Sequence, residues 1–326
     1  WWHGAHYQLW NRWELFDRSL GWYRDTLPVA RGIAQRQGYR GGRWPKMIGP
    51  DGRFGPSGCG PWLIWQQPHP IFYAEQNYRL DPSPDTLRKW QDVVFETAEF
   101  MASYACKNER SGRYELGPWV INAAENNGAV KHKTINPAFE LAYWHYGLTV
   151  ACQWRQRLAL PENPAWTNVL RNLAPLPVED GVYVMWEGVP DMWTTYNRSH
   201  IDVIGTGAFL PNEGVDLAIL GQTVDRAFKD WNMGSTWGWD FPWLAMAAAR
   251  AGKPGHAVDA LFLKAANKNA YSLCGINKGG PAATYFPGNG GLLYAVAMMA
   301  AGWDGSPASH APGFPADGSW VVRHEG

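Results

Sequence analysis

The chain has 326 residues in which 29 basic side chains balance 29 acidic ones, for a formal net charge of zero. That balance argues against nucleic acid or an anionic membrane as the main partner, because both select a clear basic excess. The sequence holds no apolar run of about 18 residues, the length a membrane-spanning helix needs, and no signal peptide; its four cysteines are far apart and form no CxxC pair, so the compartment stays open.

Helical periodicity dominates the chain. Two short helices are predicted over 14–24 and 27–37, the second stopped by Gly38. Pro70 suits the first turn of a helix over 70–80, and Asp85 opens a long one to about residue 105. Further helices are predicted over 137–157, 165–173, 200–210, 215–229, 241–251, 256–266 and 291–302. Only 181–186 reads as a strand. Long loops rich in Gly, Pro and Trp fill 39–62, 107–136, 231–240 and 270–290, and the carboxylates, histidines and indoles gather there. Paired helices without a fixed-length repeat point to a closed toroid of helical hairpins, with function on the loops of one face. The fold class expected is therefore all-α, a closed α/α barrel.

The aromatic content points to a substrate. Among 21 tryptophans, about half are expected in the core, whereas Trp44, Trp62, Trp65, Trp237 and Trp239 fall in loops. An indole offers a flat apolar face and one N–H donor, which suits the C–H face and hydroxyl rim of a sugar ring.

A stretch from Gly60 to Tyr78 (GPWLIWQQPHPIFYAEQNY), then Gly117-Pro118 through Ala124-Glu125-Asn126 and Asn136-Pro-Ala-Phe-Glu140, resembles in order the first long helices, acid-bearing loop and Asn-led helix of six-hairpin glycosidases. Asn197 to Gly205 with Leu210-Pro211, Ser235 to Pro242 leading into 247–261, and Pro287 to Gly291 continue the likeness. The chain is thus similar to the catalytic domains of glycoside hydrolase families 65 and 95. The resemblance implies an (α/α)6 barrel, inverting chemistry on a terminal sugar and no cofactor. It also implies an upstream β-sandwich or partner segment, with the start at Trp1 reading as an N-terminal truncation that omits the first helices. The chain departs from those families in two places: His3 replaces a sugar-gripping aspartate, and Pro287-Gly288-Asn289 lacks the aspartate expected as base.

An inverting glycosidase needs a carboxylic acid and a carboxylate base about 6.5–9.5 Å apart. Glu125, in a loop between helices, is the expected acid. Asp240, among Trp237, Trp239 and Phe241, is the expected base, although an aspartate at a helix start is equally a cap. Glu140 is read as lining the pocket or as an ordinary first-turn acid, with Asp202 and Glu325 as weaker candidates. Trp2, His3, His6, Trp44, Trp65, Gln66, Gln67, His69, Asn136, His200, Trp237, Trp239 and Asn289 are the expected sugar ligands. No HExxH or similar spacing supports a metal site. Gly279-Gly280 and Gly288 to Gly291 leave room for phosphate at a helix start, so a disaccharide phosphorylase is one alternative. A catalytically silent sugar-binding barrel is the other.

Overall fold

The computed structural model describes residues 1–211, 214–265 and 267–324; the candidate base Glu325 lies outside them. Among the described residues eleven α-helices run in chain order: α1 (Trp13–Asp25), α2 (Leu27–Arg36), α3 (His69–Leu80), α4 (Pro84–Tyr104), α5 (Ala138–Arg157), α6 (Pro164–Arg171), α7 (Met192–Thr195), α8 (Leu217–Asp230), α9 (Asp240–Arg250), α10 (Pro254–Phe262) and α11 (Phe286–Ala301). Two 3₁₀ segments, Ala5–Trp10 and Asp202–Gly207, matter as much to the architecture.

The inner wall is a closed ring. The segment Ala5–Trp10 packs on α3, α3 on α5, α5 on Asp202–Gly207, that segment on α9, α9 on α11, and α11 back on Ala5–Trp10. Outside it, α1 backs the Ala5–Trp10 segment, α4 backs both α3 and α5, α6 backs α5, α8 backs both Asp202–Gly207 and α9, α10 backs α9, and α2 packs on α1 and α4. This is the expected (α/α)6 barrel, with all six inner elements present from Ala5 onward. The last inner helix is followed over 302–324 by a non-helical tail.

Composition separates the two layers. Helix α9 is buried along its length except at Arg250, and α5 carries buried residues on every side from Ala138 to Trp154. A helix apolar all round belongs inside. The outer helices α4, α6 and α8 are amphipathic and are capped by their own sequence: Ser83, Asn163 and Asp216 each accept a first-turn backbone N–H, and Pro follows at the first turn of α4 and α6.

Two expectations about helices needed correction. The stretch 200–210 forms a short 3₁₀ segment instead of an α-helix, with Gly205 wedged against Trp243 and Phe139, and Gly207 against Leu220. Helix α11 starts at Phe286 rather than at 291, so its glycines lie inside the helix. A Cβ at Gly290 would collide with the Trp2 carbonyl, and one at Gly288 with Asn277. Glycine at these positions allows close approach between elements. The expected strand 181–186 is half of a two-residue hairpin, Val178–Glu179 with Val182–Tyr183. A second hairpin pairs Cys106–Lys107 with Tyr114–Glu115.

Candidate active site

The six inner elements all present their N-terminal ends at the same face, and the residues just before each converge there. They are Trp1 to His3 before the first 3₁₀ segment, Trp65 before α3, Glu125 in the loop before α5, Ser199-His200 before the second 3₁₀ segment, Trp237 and Trp239 at α9, and Tyr285 with Pro287 at α11. Together with Lys46 they line a cavity of about 380 Å³. A second compartment of about 250 Å³ lies beside it, lined by Trp22, Tyr23, Trp44, Gln66 and His69. Trp1, Lys46, Trp65 and Glu125 belong to both.

The walls are aromatic. Trp65 lies nearly parallel to Trp239, ring centres 6.1 Å apart, and Trp239 in turn stacks on Trp243 at 5.2 Å. His200 lies against Trp239 at 4.1 Å, and Trp2 against Trp239 at 4.8 Å. Each indole is braced by another ring, which holds its face fixed toward the cavity.

Among the described residues, Glu125 is the only carboxylate that lines either compartment. Its backbone adopts φ 55°, a left-handed conformation that costs a non-glycine residue about 1 kcal/mol or more. The loop is pinned on both sides. Asp202 Oδ2 accepts the Ala124 N–H at 3.1 Å, the Asn122 carbonyl accepts the Glu125 N–H at 2.9 Å, and Asn126 donates to the carbonyls of Tyr196 and Arg198. Lys46 Nζ sits 2.5 Å from both carboxylate oxygens, and the Cys59 thiol donates to Oε2 at 3.2 Å. Burial, with the neighbouring carboxylate, pushes that thiol up to about 11, so it stays a donor.

Asp240 is fully buried and does not line the cavity. Its carboxylate accepts the Ile201 N–H at 2.9 Å, the Trp237 N–H at 2.8 Å and His200 Nδ1 at 3.0 Å. The structure thus places Asp240 behind His200, where it fixes the imidazole and two backbone turns. With Nδ1 committed to Asp240, Nε2 is the nitrogen of His200 left to act.

Beneath these groups lies a second acidic layer. Glu140 is fully buried, and only its own backbone N–H and that of Ala123 approach its carboxyl, without ordinary hydrogen-bond geometry. Burial, reinforced by Asp202, holds it well above the usual carboxylate range. Asp202 accepts Asn122 Nδ2 at 2.6 Å as well as the Ala124 N–H, yet burial still raises it to about 7. Two buried carboxyls side by side favour retention of a proton between them.

The other expected ligands divide cleanly. Trp2, His3, Trp65, His200, Trp237 and Trp239 line the first compartment, and Gln66, His69 and Trp44 the second. His69 accepts or shares a hydrogen bond with Tyr143 at 3.1 Å, and burial holds its imidazole well below the usual range, as it does more mildly for His3 and His6. Trp44 is buried and its indole N–H is committed to Thr97. Four other expected ligands lie outside both compartments. Gln67 is tied to Arg43, the Trp44 N–H and the Gly42 carbonyl. Asn136 accepts the Leu116 N–H, Asn289 holds the Gly275–Asn277 turn, and His6 lies behind the wall against α11. Sequence reasoning missed Trp1, Trp22, Tyr23, Ser199, Tyr285 and Cys59. Of these, Trp1 and Tyr285 carried a usable signal as aromatics beside Trp2 and Pro287.

No family-level sequence profile matches the chain, and no curated protein matches it in sequence. Solved structures do match in shape. One, described as a kojibiose phosphorylase from human microbiome, superposes with a TM-score of 0.61 at 10% identity, over 86% of this chain and 43% of that one. A glycosidase, in wild-type and variant forms, superposes with TM-scores of 0.59 and 0.60 at 16% identity, over 91% of this chain and 85% of that one. The chain thus spans less than half the length of the phosphorylase. At these identities the likeness establishes the fold, a six-hairpin glycosidase-like (α/α)6 barrel.

Proposed function

We propose that the chain is a carbohydrate-active barrel that hydrolyses a terminal glycosidic bond, with Glu125 as the proton donor. The observation that carries this reading is the position of Glu125: one carboxylate, held in a left-handed turn, where two aromatic compartments meet. A sugar stacked in each compartment sets the linking oxygen beside that carboxyl, and the small volumes suit one sugar ring on each side of the bond. The enzymes with the same fold act on glycosides, which agrees with the reading.

The second carboxylate of an inverting mechanism is Asp240 acting through His200. In this scheme His200 Nε2 accepts a proton from water as the water attacks the anomeric carbon. Asp240 holds the Nδ1–H and stabilises the imidazolium that forms. Glu125 passes its proton to the leaving oxygen, so the net reaction adds one water across the bond. Lys46 must leave the carboxylate before Glu125 can carry that proton, and an incoming sugar hydroxyl is suited to displace it.

One observation favours a second reading. Because Glu125 is the only carboxylate on the cavity wall among the described residues, phosphate could take the place of water, held by Lys46, His3 and His200. The test is release of reducing sugar from aryl glycosides and disaccharides, with and without phosphate, by the wild type and Glu125→Gln. Phosphate-independent release that collapses in the variant supports hydrolysis. Release only with phosphate selects phosphorolysis. Full activity in the variant removes Glu125 from its role, and binding without release by the wild type identifies a silent barrel.

A further inference from the structure

We infer that the chain carries a second saccharide-binding site, a surface groove outside the catalytic cleft. This groove of about 560 Å³ is lined by Gln37, Tyr39, Trp62, Phe100, Tyr104 and Trp119, with Arg43, Cys106 and the 61 and 117–118 turns completing it. Its lining contains no leucine, isoleucine, valine, methionine or alanine. Grooves that receive an amphipathic helix or an acyl chain are built from such aliphatics. This one alternates ring faces with hydroxyl, amide and guanidinium groups, and that alternation matches a sugar's C–H faces and hydroxyl edge.

The outer wall is a pair of indoles, Trp62 and Trp119, with ring centres 6.0 Å apart and planes inclined by 35°. Trp119 is 52% exposed, although a core position would bury it. Its backbone stands at φ 66° and its N–H is held by the Lys131 carbonyl at 2.9 Å, so the exposed ring is fixed. Lys131 Nζ lies over both rings, at 5.0 Å and 5.7 Å, and His132 flanks Trp119 at 5.8 Å. Arg43 is buried beneath, tied to the carbonyls of Pro61 and Leu63 and set against Phe100, which makes the floor rigid.

The groove shares no lining residue with the cleft. The two are joined through the interior: Trp62 and Cys59 lie on one short turn, Cys59 donates to Glu125, and the Trp62 carbonyl accepts the Ile121 N–H on the stretch of chain that leads to Glu125. The groove is therefore a separate aromatic platform held rigidly to the catalytic loop. The groove holds no carboxylate and needs none, because it binds and does not cleave.

The experiment is affinity electrophoresis of the intact chain in gels containing glycogen, laminarin, arabinoxylan or galactomannan, paired with aryl-glycoside hydrolysis. The wild type is expected to be retarded in at least one gel. Trp119→Ala should weaken that retardation at least fivefold, Trp119→Phe should restore most of it, and both should keep aryl-glycoside turnover within twofold. An unchanged thermal midpoint checks that the variants fold. No retardation in any gel, or retardation untouched by Trp119→Ala, overturns the proposal. Trp119-dependent retardation in a protein that cleaves no glycoside leaves the groove standing and rejects the catalytic reading instead.

Discussion

The two ends of the barrel carry opposite chemistry. At the N-terminal ends of the inner helices, indoles, histidines and Glu125 line two small compartments. At the C-terminal ends lies a larger cavity of about 890 Å³, lined by Arg79, Arg157, Arg250, Glu75 and Asp304 with few rings. Its charges are largely committed: Arg157 pairs with Glu75, and Arg79 with Asp304. Arg79, Arg157 and Arg250 each occupy the last turn of an inner helix, while Asp240 occupies a first turn. Each charge therefore complements the macrodipole of its own helix. Size alone would select the wrong end. The smaller cavities hold the unpaired faces and the carboxylate that a reaction needs, whereas the larger one holds interactions that fasten helices together.

Substitutions should separate the two ends by what they change. The largest effect is expected for Glu125→Gln, a loss of about 10²- to 10⁴-fold in turnover, with sugar binding and thermal midpoint retained; equal losses of binding and turnover would place Glu125 in binding alone. Asp240→Ala comes next. It strands two backbone N–H groups and the His200 imidazole, and should cost about 3 kcal/mol by urea unfolding as well as activity. At the far end, Arg157→Ala leaves Glu75, which is 10% exposed, with only the Trp154 N–H. It should destabilise by about 2–3 kcal/mol while turnover per folded molecule is unchanged. A loss of turnover in the soluble, folded variant would mean that the two ends communicate.

The last expected effect is a pH dependence of stability, spread over several pH units. Asp202 is raised to about 7 from 3.8, and Glu140 is raised in the same direction. Above the unfolded values the unfolded chain has released protons that the folded one keeps, so stability should fall as pH rises from about 4, with the Asp202 part of that fall complete above about 7. Asp202→Asn should flatten that slope in thermal melts across the range. An identical slope in the variant would assign it to other groups.

Much of the fold was legible because inner and outer helices differ in sequence: α5 and α9 are apolar all round, and Ser83, Asn163 and Asp216 mark where outer helices begin. The two misplaced elements share one cause. Glycines at 205, 207, 288 and 290 were weighed by local propensity, whereas Trp243, Leu220, Asn277 and Trp2 decide their geometry from distant parts of the chain. The site was legible where it depends on residue type. Aromatics in Gly- and Pro-rich loops, and the carboxylate of Glu125, do line the cleft. It was illegible where it depends on partners. Nothing near Gln67 or Asn136 in sequence reveals Arg43 or the Leu116 N–H that occupies each amide. Nor does the run around Asp240 show that His200 stands between it and the cavity.

The cleft's wall joins the first residues of the chain to the last inner helix. Trp1 lies against Tyr294 at 5.0 Å, and the Trp10 indole donates to the Leu293 carbonyl across 283 residues of sequence. Contacts of that separation are late in folding, because loop-closure entropy must be met before they form. Helical content should therefore return on refolding well before the binding surface does, and recovery of sugar binding after dilution from denaturant becomes a clock for the final closure of the ring.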